Sequence, residues 1–258
     1  MPRRPRQCPP GYVYHVLNRG VGRMTLFDDE QDYAAFERVL MRTRERLAGV
    51  AGVELFAYCL MPNHWHLLVR PHEAGALSQF MRLLTVTHSQ RWHAHRHSAG
   101  TGPIYQGRFK SFPVQDERHF LTVARYVERN ALRAKLVARA QDWRWSSLAV
   151  RRLRGRDRSA DTAERQALLC PWPIPGRSEP SGGGRWREPR GWLATVNRPQ
   201  SRAELEALRT SVQRGRPFGD AGWVKRAAAA TGTASSLRPC GRPRKMVQAG
   251  EEQRQARK

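Results

Sequence analysis

The sequence predicts an α+β fold, in which helices pack on one face of a ferredoxin-like antiparallel sheet and a basic C-terminal extension follows. Two observations predict this class. Residues 11–150 alternate short segments of period-two polarity with longer segments whose apolar residues recur at helical spacing. The order of these segments is strand, helix, strand, strand, helix, strand, helix, which is typical of the split β-α-β pattern.

The predicted strands are short runs of aromatic and branched apolar residues bounded by turn residues. They cover residues 11–18, 53–61, 64–70 and 105–114. The predicted helices carry an apolar stripe, and they cover approximately residues 28–48, 76–95 and 116–137. Asp28 or Asp29 is a good N-cap for the first helix. Pro62-Asn63 predicts a tight turn between the second and third strands.

The composition changes after about residue 150. Residues 151–200 are rich in Pro, Gly and Arg and predict a linker without stable structure. Residues 201–245 predict two short helices that could form a small DNA-binding appendage, with Ser201 and Glu204 as the capping box of the first helix. A basic arm over 1–10 and a tail over 246–258 flank the chain.

The chain is strongly basic, with 46 Lys and Arg against 22 Asp and Glu and a net charge of +24. Such an excess favours a polyanion as partner, most simply nucleic acid, although a GC-rich genome would enrich arginine in the same way. No apolar segment follows the basic N-terminus, and no run of about 18 apolar residues exists. We therefore expect a cytoplasmic, nucleoid-associated protein with no membrane partner. The four cysteines are far apart, so neither a zinc ribbon nor a disulfide framework is expected.

The third predicted strand contains a candidate metal site. His64 and His66 are two residues apart, so their side chains share one face, while Trp65 and Leu67 point the other way into a core. Two neutral imidazoles side by side are a ready pair of metal ligands. On its own, however, a His-x-His pair is more often part of a solvated strand face than a metal site.

The third predicted helix supplies a partner for this pair. Tyr126 and Asn130 are four residues apart and lie on one helix face, and Arg133 continues the same stripe. A divalent ion held by two imidazoles and an amide oxygen could polarise a scissile phosphate while the phenol oxygen attacks it. Arg129 and Arg133 are the cations of this helix that we expect to bind DNA.

Two further segments are candidates for DNA binding. The strand over 105–114 places Arg108, Lys110 and Phe112 on one face, where cations can pair with phosphates and the aromatic ring can stack on bases. The loop over 18–23 combines Arg19 with glycines that allow close approach of a ligand, although an ordinary surface turn explains it equally well.

Five motifs, in this order, resemble the REP-associated tyrosine transposases, which are single-tyrosine HUH transposases. They are Tyr14-His15 to Asn18-Arg19-Gly20, then Met61-Pro62-Asn63-His64-Trp65-His66-Leu67-Leu68, then Tyr105-Gln106-Gly107-Arg108-Phe109-Lys110-Ser111, then Tyr126-Val127-Glu128-Arg129-Asn130, and Trp145-Ser146-Ser147. The resemblance covers roughly residues 11–148 and implies the HUH nuclease fold for a catalytic domain over 11–150. It also implies roles for four residues: His64 and His66 as metal ligands, Asn130 in the place of the third ligand, and Tyr126 as the nucleophile.

The activity that this resemblance implies is cleavage of single-stranded or hairpin DNA at imperfect palindromic repeats. A 5′-phosphotyrosine and a free 3′-OH would form with Mg²⁺ or Mn²⁺ and without a nucleotide cofactor, in a monomer or a homodimer. The chain departs from the family in two places. The family often continues Asn-Pro-Val-Arg-Ala-Gly where this chain has Asn130 to Lys135, and Trp65 stands where smaller apolar residues are common.

Two other function classes remain open from the sequence. A catalytically inactive, domesticated protein that binds repeat DNA would share the basic charge, but it would not need to keep His64, His66 and Tyr126 together. A metal-dependent hydrolase that uses water would draw acidic ligands from elsewhere, and no acidic residue lies near the His-x-His motif.

Overall fold

A computed structural model of the chain describes residues 7–49, 52–115, 117–153, 160–173 and 188–238. Its centre is a four-stranded antiparallel sheet with the order β2-β3-β1-β4. The strands are β1 (Val13–Arg19), β2 (Val53–Met61), β3 (His64–Pro71) and β4 (Lys110–Val114). The predicted class, an antiparallel sheet combined with helices, is confirmed.

The described residues form nine α-helices and three short 3₁₀ turns. The helices are α1 (Glu30–Leu47), α2 (Ala76–His95), α3 (Glu117–Glu128), α4 (Asn130–Arg133), α5 (Ser147–Arg152), α6 (Ala160–Ala167), α7 (Trp192–Asn197), α8 (Arg202–Arg214) and α9 (Ala221–Ala230). Asp29 caps α1 by accepting a hydrogen bond from the Asp32 amide at 3.0 Å, and the predicted capping box of Ser201 and Glu204 is present on α8. Within the described ranges, no helix has the length and apolar character needed to cross a membrane.

Helices cover both faces of the sheet, so the prediction of helices on one face is wrong. Helices α1 and α2 bury one face, which carries Tyr14, Trp65 and Leu67. Helix α3 and the C-terminal helices bury the other face, which carries Phe112. The reason lies in the strands, because β2 is buried along almost its whole length and therefore needs cover on both sides.

Two predicted elements have different bounds in the structure. The helix predicted over 116–137 ends at Glu128, and a separate turn of helix, α4, begins at Asn130. After α4, Lys135 takes a left-handed conformation with φ of 60°. The family that the sequence resembles often has glycine at this position, and glycine adopts this conformation without strain. The strand predicted over 105–114 begins only at Lys110, so Arg108 lies in the loop before it.

The linker predicted over 151–200 is wrong where the structure describes it. Residues 160–173 and 188–200 contain α6 and α7 and bury two tryptophans, Trp172 and Trp192, whose rings meet edge to face at 4.9 Å. Large aromatic rings bury enough apolar surface to hold a segment of otherwise polar composition in place. Outside the described residues lie 1–6 of the predicted basic arm, 154–159 and 174–187 of the predicted linker, 239–245 of the predicted appendage, and the predicted tail over 246–258.

The predicted appendage over 201–245 is packed on the sheet as far as residue 238. Phe218 pairs with the free edge of β4: its amide donates to the Pro113 carbonyl at 2.9 Å, and its carbonyl accepts from the Gln115 amide at 3.0 Å. At the opposite edge of the sheet, the Leu60 amide of β2 donates to the Trp145 carbonyl at 2.9 Å. Both edge strands are thus paired in part by segments that follow the sheet in the chain.

The carboxylate of Glu128 connects three segments of the C-terminal half. Glu128 is fully buried and accepts hydrogen bonds from Ser147 Oγ at 2.6 Å and from Trp192 Nε1 at 2.7 Å. It also forms an ion pair with Arg151, whose guanidinium lies 4.8 Å from the ring centroid of Trp172. One buried charge therefore holds α3, α5 and α7 together.

We expect Glu128→Ala to lower the free energy of unfolding by about 3–5 kcal/mol, because it leaves the Arg151 guanidinium half-buried without its anion. Urea unfolding followed by tryptophan fluorescence measures this change. Glu206→Ala is the control, since it removes an exposed ion pair with Arg202 and should leave the midpoint almost unchanged. Equal midpoints for both variants would contradict the connecting role of Glu128.

Candidate active site

Three histidines from two neighbouring strands meet on the sheet face that α3 covers. His64 and His66 of β3 share this face, as predicted, with ring centroids 5.0 Å apart. His15 of β1 joins them: its ring is stacked on that of His66 at 5.0 Å, and its Nε2 lies 2.9 Å from His66 Nδ1. Sequence reasoning missed His15, because only the pairing of β1 with β3 brings it beside His66.

Hydrogen bonds orient the two imidazoles of β3. His64 Nδ1 lies 2.7 Å from Asn63 Oδ1, which can only accept, so Nδ1 carries the proton and Nε2 keeps a lone pair. His66 Nε2 is buried and has no hydrogen-bond partner within the described ranges. When His66 Nδ1 donates to His15, this Nε2 also keeps a lone pair. A second hydrogen bond that fixes the tautomer in this way is typical of metal-binding histidines.

The surroundings keep all three histidines neutral. Burial, followed by the charge of Arg133, lowers the pKa of His15 to about 3. Burial, with Arg19 and Arg133, lowers the pKa of His64 to about 4. Burial and the neighbouring histidines hold the pKa of His66 well below its usual value. Neutral imidazole is the form that binds a metal ion.

Tyr126 of α3 lies against the histidines, as predicted. Its ring stands almost perpendicular to those of His66 and His15, with centroids 5.9 and 6.0 Å away. The Arg133 guanidinium lies 4.4 Å from the Tyr126 ring centroid. Tyr126 is 5% exposed, and it lines the same cleft as His64 and His66.

Asn130 is placed differently from the other predicted residues. It is 1% exposed, it is not among the residues that line the cleft, and its Oδ1 accepts a hydrogen bond from Arg133 at 2.7 Å. The described part of the chain also contains no cluster of three or more His, Cys, Asp or Glu side chains placed to hold a metal. In this conformation the Asn130 oxygen is engaged by Arg133, and the two β3 imidazoles are the predicted ligands that keep a nitrogen without a hydrogen-bond partner among the described residues.

The cleft beside Tyr126 has a volume of about 1240 Å³ and a positive lining. Its described lining contains no carboxylate and six cationic residues: Arg19, Arg23, Arg108, Lys110, Arg133 and Arg214. Gln106 orients one of them, because its Oε1 accepts from Arg19 Nη2 at 3.0 Å and from Arg19 Nε at 3.3 Å. A concave surface with charge of one sign concentrates ligands of the opposite sign, here a polyanion.

Four of the six residues predicted to bind DNA, Arg19, Arg108, Lys110 and Arg133, line this cleft. Phe112 does not, and the prediction that it stacks on bases is wrong: it is 1% exposed and packs beneath α3 at 4.9 Å from the His15 ring. Arg129 donates to the carbonyls of Val196 and Asn197 at 2.9 and 2.5 Å. It therefore holds the end of α7 against the end of α3, which is a different role from the predicted one.

Comparison with known proteins adds a family match. Residues 10–130 match the family model described as "Transposase IS200 like". No curated protein matches the chain.

Two solved structures are similar to parts of the chain. One is a REP-associated tyrosine transposase bound to a REP hairpin, at 17% identity over 60% of this chain and 87% of that chain, with a TM-score of 0.44. The other is a candidate transposase from Deinococcus radiodurans R1, at 18% identity over 50% of this chain and 96% of that chain, with a TM-score of 0.32.

Proposed function

We propose that this chain, whose residues 10–130 belong to the IS200-like transposase family, nicks and rejoins DNA through a covalent tyrosine intermediate. Its substrate is single-stranded or hairpin DNA at palindromic repeats. The observation that carries the proposal is the position of Tyr126, which lines a cleft together with His64 and His66; the described lining of this cleft carries positive and no negative charge. Recognition of a base or a sugar alone would not require six cations. Binding of a backbone with several phosphates does, because each phosphate carries a negative charge.

Tyr126 is the nucleophile of the proposed reaction. Its phenol oxygen attacks the scissile phosphorus, a bond from phosphorus to the tyrosine oxygen forms, and the bond from phosphorus to the 3′ oxygen breaks. The phenol gives up its proton as it attacks, the 3′ oxygen takes up one proton and leaves as a free 3′-OH, and the 5′ phosphate stays on Tyr126, so that protons balance over the step. Rejoining is the reverse: a 3′-OH attacks the phosphotyrosine and releases the phenol. Arg133, which contacts the Tyr126 ring, adds positive charge where the transition state becomes more negative.

His64 and His66 are the proposed ligands of Mg²⁺ or Mn²⁺, through the Nε2 atoms that keep their lone pairs. When bound, such an ion supplies Lewis-acid polarisation of the scissile phosphate. Asn130 would be the third ligand only after its oxygen leaves Arg133. His15 is a positioning residue, because its hydrogen bond to His66 Nδ1 leaves Nε2 as the nitrogen of His66 with an unshared lone pair.

A non-catalytic protein that binds repeat DNA is the second candidate. The observation that favours it is the hydrogen bond between Asn130 and Arg133, which keeps the proposed third ligand away from the cleft. A hydrolase that uses water fits less well, since the described lining of the cleft contains no carboxylate to act as a base.

We expect Tyr126→Phe to fold and bind DNA as the parent does, yet to lose both cleavage and the covalent adduct, because only the phenol oxygen is removed. The measurement is a denaturing gel with 5′- and 3′-labelled hairpins from repeats that flank the gene. The parent should retain the 3′-side fragment and release a fragment that ends in 3′-OH. Tyr12→Phe, a half-buried tyrosine at the start of the sheet, is the control and should cleave normally. Cleavage by Tyr126→Phe would rule out the tyrosine mechanism.

We expect His15→Phe to weaken Mn²⁺ binding by about 10- to 100-fold while the protein stays folded, because the ring still packs but no longer orients His66. Electron paramagnetic resonance of free Mn²⁺ during a titration measures the affinity without any DNA. His88→Gln is the matched control, since His88 is buried on the opposite face of the sheet, where it contacts Tyr105. Unchanged affinity in His15→Phe would remove its positioning role, and the absence of Mn²⁺ binding in the parent would remove the metal site.

We expect the affinity for single-stranded DNA to fall with salt by about 0.7 log units per log unit of salt for each phosphate contact. Lys110→Ala should reduce this slope by about one contact, because Lys110 lines the cleft. Arg38→Ala, an exposed cation of α1 outside the cleft, should leave the slope unchanged. Fluorescence anisotropy over a salt series measures both. Equal slopes for the two variants would place the DNA elsewhere on the protein.

A further inference from the structure

The cleft has two walls that come from distant parts of the chain. One wall is formed by the sheet, the loop before β4 and helix α3, and it carries His64, His66 and Tyr126. The other wall comes from the C-terminal helices and consists of Val212, Gln213, Arg214, Gly215, Thr231, Thr233 and Ser235. These residues, hereafter the C-terminal wall, follow the part of the chain that matches the transposase family. Nothing in that match assigns them a role.

The sheet fixes the position of the C-terminal wall. Phe218, three residues after Gly215, is hydrogen-bonded to the edge of β4. The Asp220 amide, at the start of α9, donates to Gln115 Oε1 at 2.6 Å. Gly219 lies so close to this glutamine that a Cβ atom would stand 2.4 Å from Oε1. The wall is therefore built onto the same β4 strand that carries Lys110, and it does not hang from a flexible linker.

The C-terminal wall is chemically suited to a phosphate backbone. Arg214 supplies a guanidinium, and its Nη2 donates to the Arg238 carbonyl, which orients the side chain. Gln213, Thr233 and Ser235 add amide and hydroxyl groups, which are common donors to phosphate and sugar oxygens. Together with Arg108 and Lys110, Arg214 places positive charge on both walls of the cleft.

We propose that the C-terminal wall binds the backbone of the single strand that enters the cleft toward Tyr126. This inference rests on the proposed function, and it deepens it by assigning a strand-binding site to a part of the chain outside the family match. Positive groups on both walls suit a single strand of DNA, because its phosphates are not shielded by a second strand and can be contacted from either side.

The test uses the full-length protein and fluorescein-labelled oligo(dT) of about 16 nucleotides, the upper end of the site size of one single-strand-binding module. We expect Arg214→Ala to weaken binding about tenfold and to reduce the salt slope by about 0.7, as the loss of one charged contact should. Arg209→Ala, on an exposed position of the same helix that does not line the cleft, is the matched control and should bind as the parent does.

A second variant separates a loss of binding from a folding defect. It is needed because the Arg214 side chain also donates a hydrogen bond to the Arg238 carbonyl, which Arg214→Ala removes. Ser235 is exposed, so Ser235→Glu should fold normally and weaken oligo(dT) binding by placing an anion in the wall. Ala207→Glu adds the same charge at an exposed position of α8 that does not line the cleft, and it should bind as the parent does. Parent-like or tighter binding by both Arg214→Ala and Ser235→Glu would overturn the proposal. If these variants bind normally while the parent still forms the tyrosine adduct, the wall alone is wrong. If the wall variants lose binding but no adduct forms in the parent, the nuclease function is wrong and the strand-binding site stands.

Discussion

The antiparallel pairing of β1 with β3 determines the positions of the three histidines and of Arg19 at the cleft. In this register, Arg19 lies opposite His64, and Leu17 lies opposite His66. His15 is one position further along the same face, within hydrogen-bond distance of His66. A shift of one residue would turn both β3 histidines to the other face and bring Trp65 into the cleft. The buried ring of Trp65, which donates to the Tyr105 hydroxyl at 3.1 Å, opposes such a shift.

Local patterns in the sequence were enough to predict the approximate strands and the common face of His64 and His66, because these features depend on periodicity within one segment. The position of Tyr126 beside the histidines was instead implied by the resemblance to a known family. His15 and Phe112 depend on contacts between segments. The partner of His15 follows from strand register, and the burial of Phe112 follows from where α3 lies. The Asn130 oxygen bonds to Arg133 within the short helix α4, which the single helix predicted over 116–137 did not anticipate.

The region after residue 150 shows why average composition predicted its structure poorly. Its many Pro, Gly and Arg residues suggested a linker, yet Trp172 and Trp192 are almost completely buried. The burial of a few large aromatic rings stabilises such a segment enough to keep it folded, even though most of its residues are polar. The buried carboxylate of Glu128 then gives the Trp192 indole and the Arg151 guanidinium a common partner. Charge and apolar surface are thus combined at one point, which a count of residue types does not reveal.

The pairing of the sheet edges has a consequence for self-association. An unpaired edge strand offers backbone donors and acceptors to a strand of another molecule, which is a common route to dimers and to aggregates. In this protein, Phe218 takes up part of the β4 edge, while Trp145 and the Cys170 amide, which donates to the Leu55 carbonyl at 2.7 Å, take up part of the β2 edge. A second copy that extended the sheet at these positions would have to displace the chain's own segments from them. Intermolecular strand addition therefore competes with an intramolecular partner that is always present at high effective concentration.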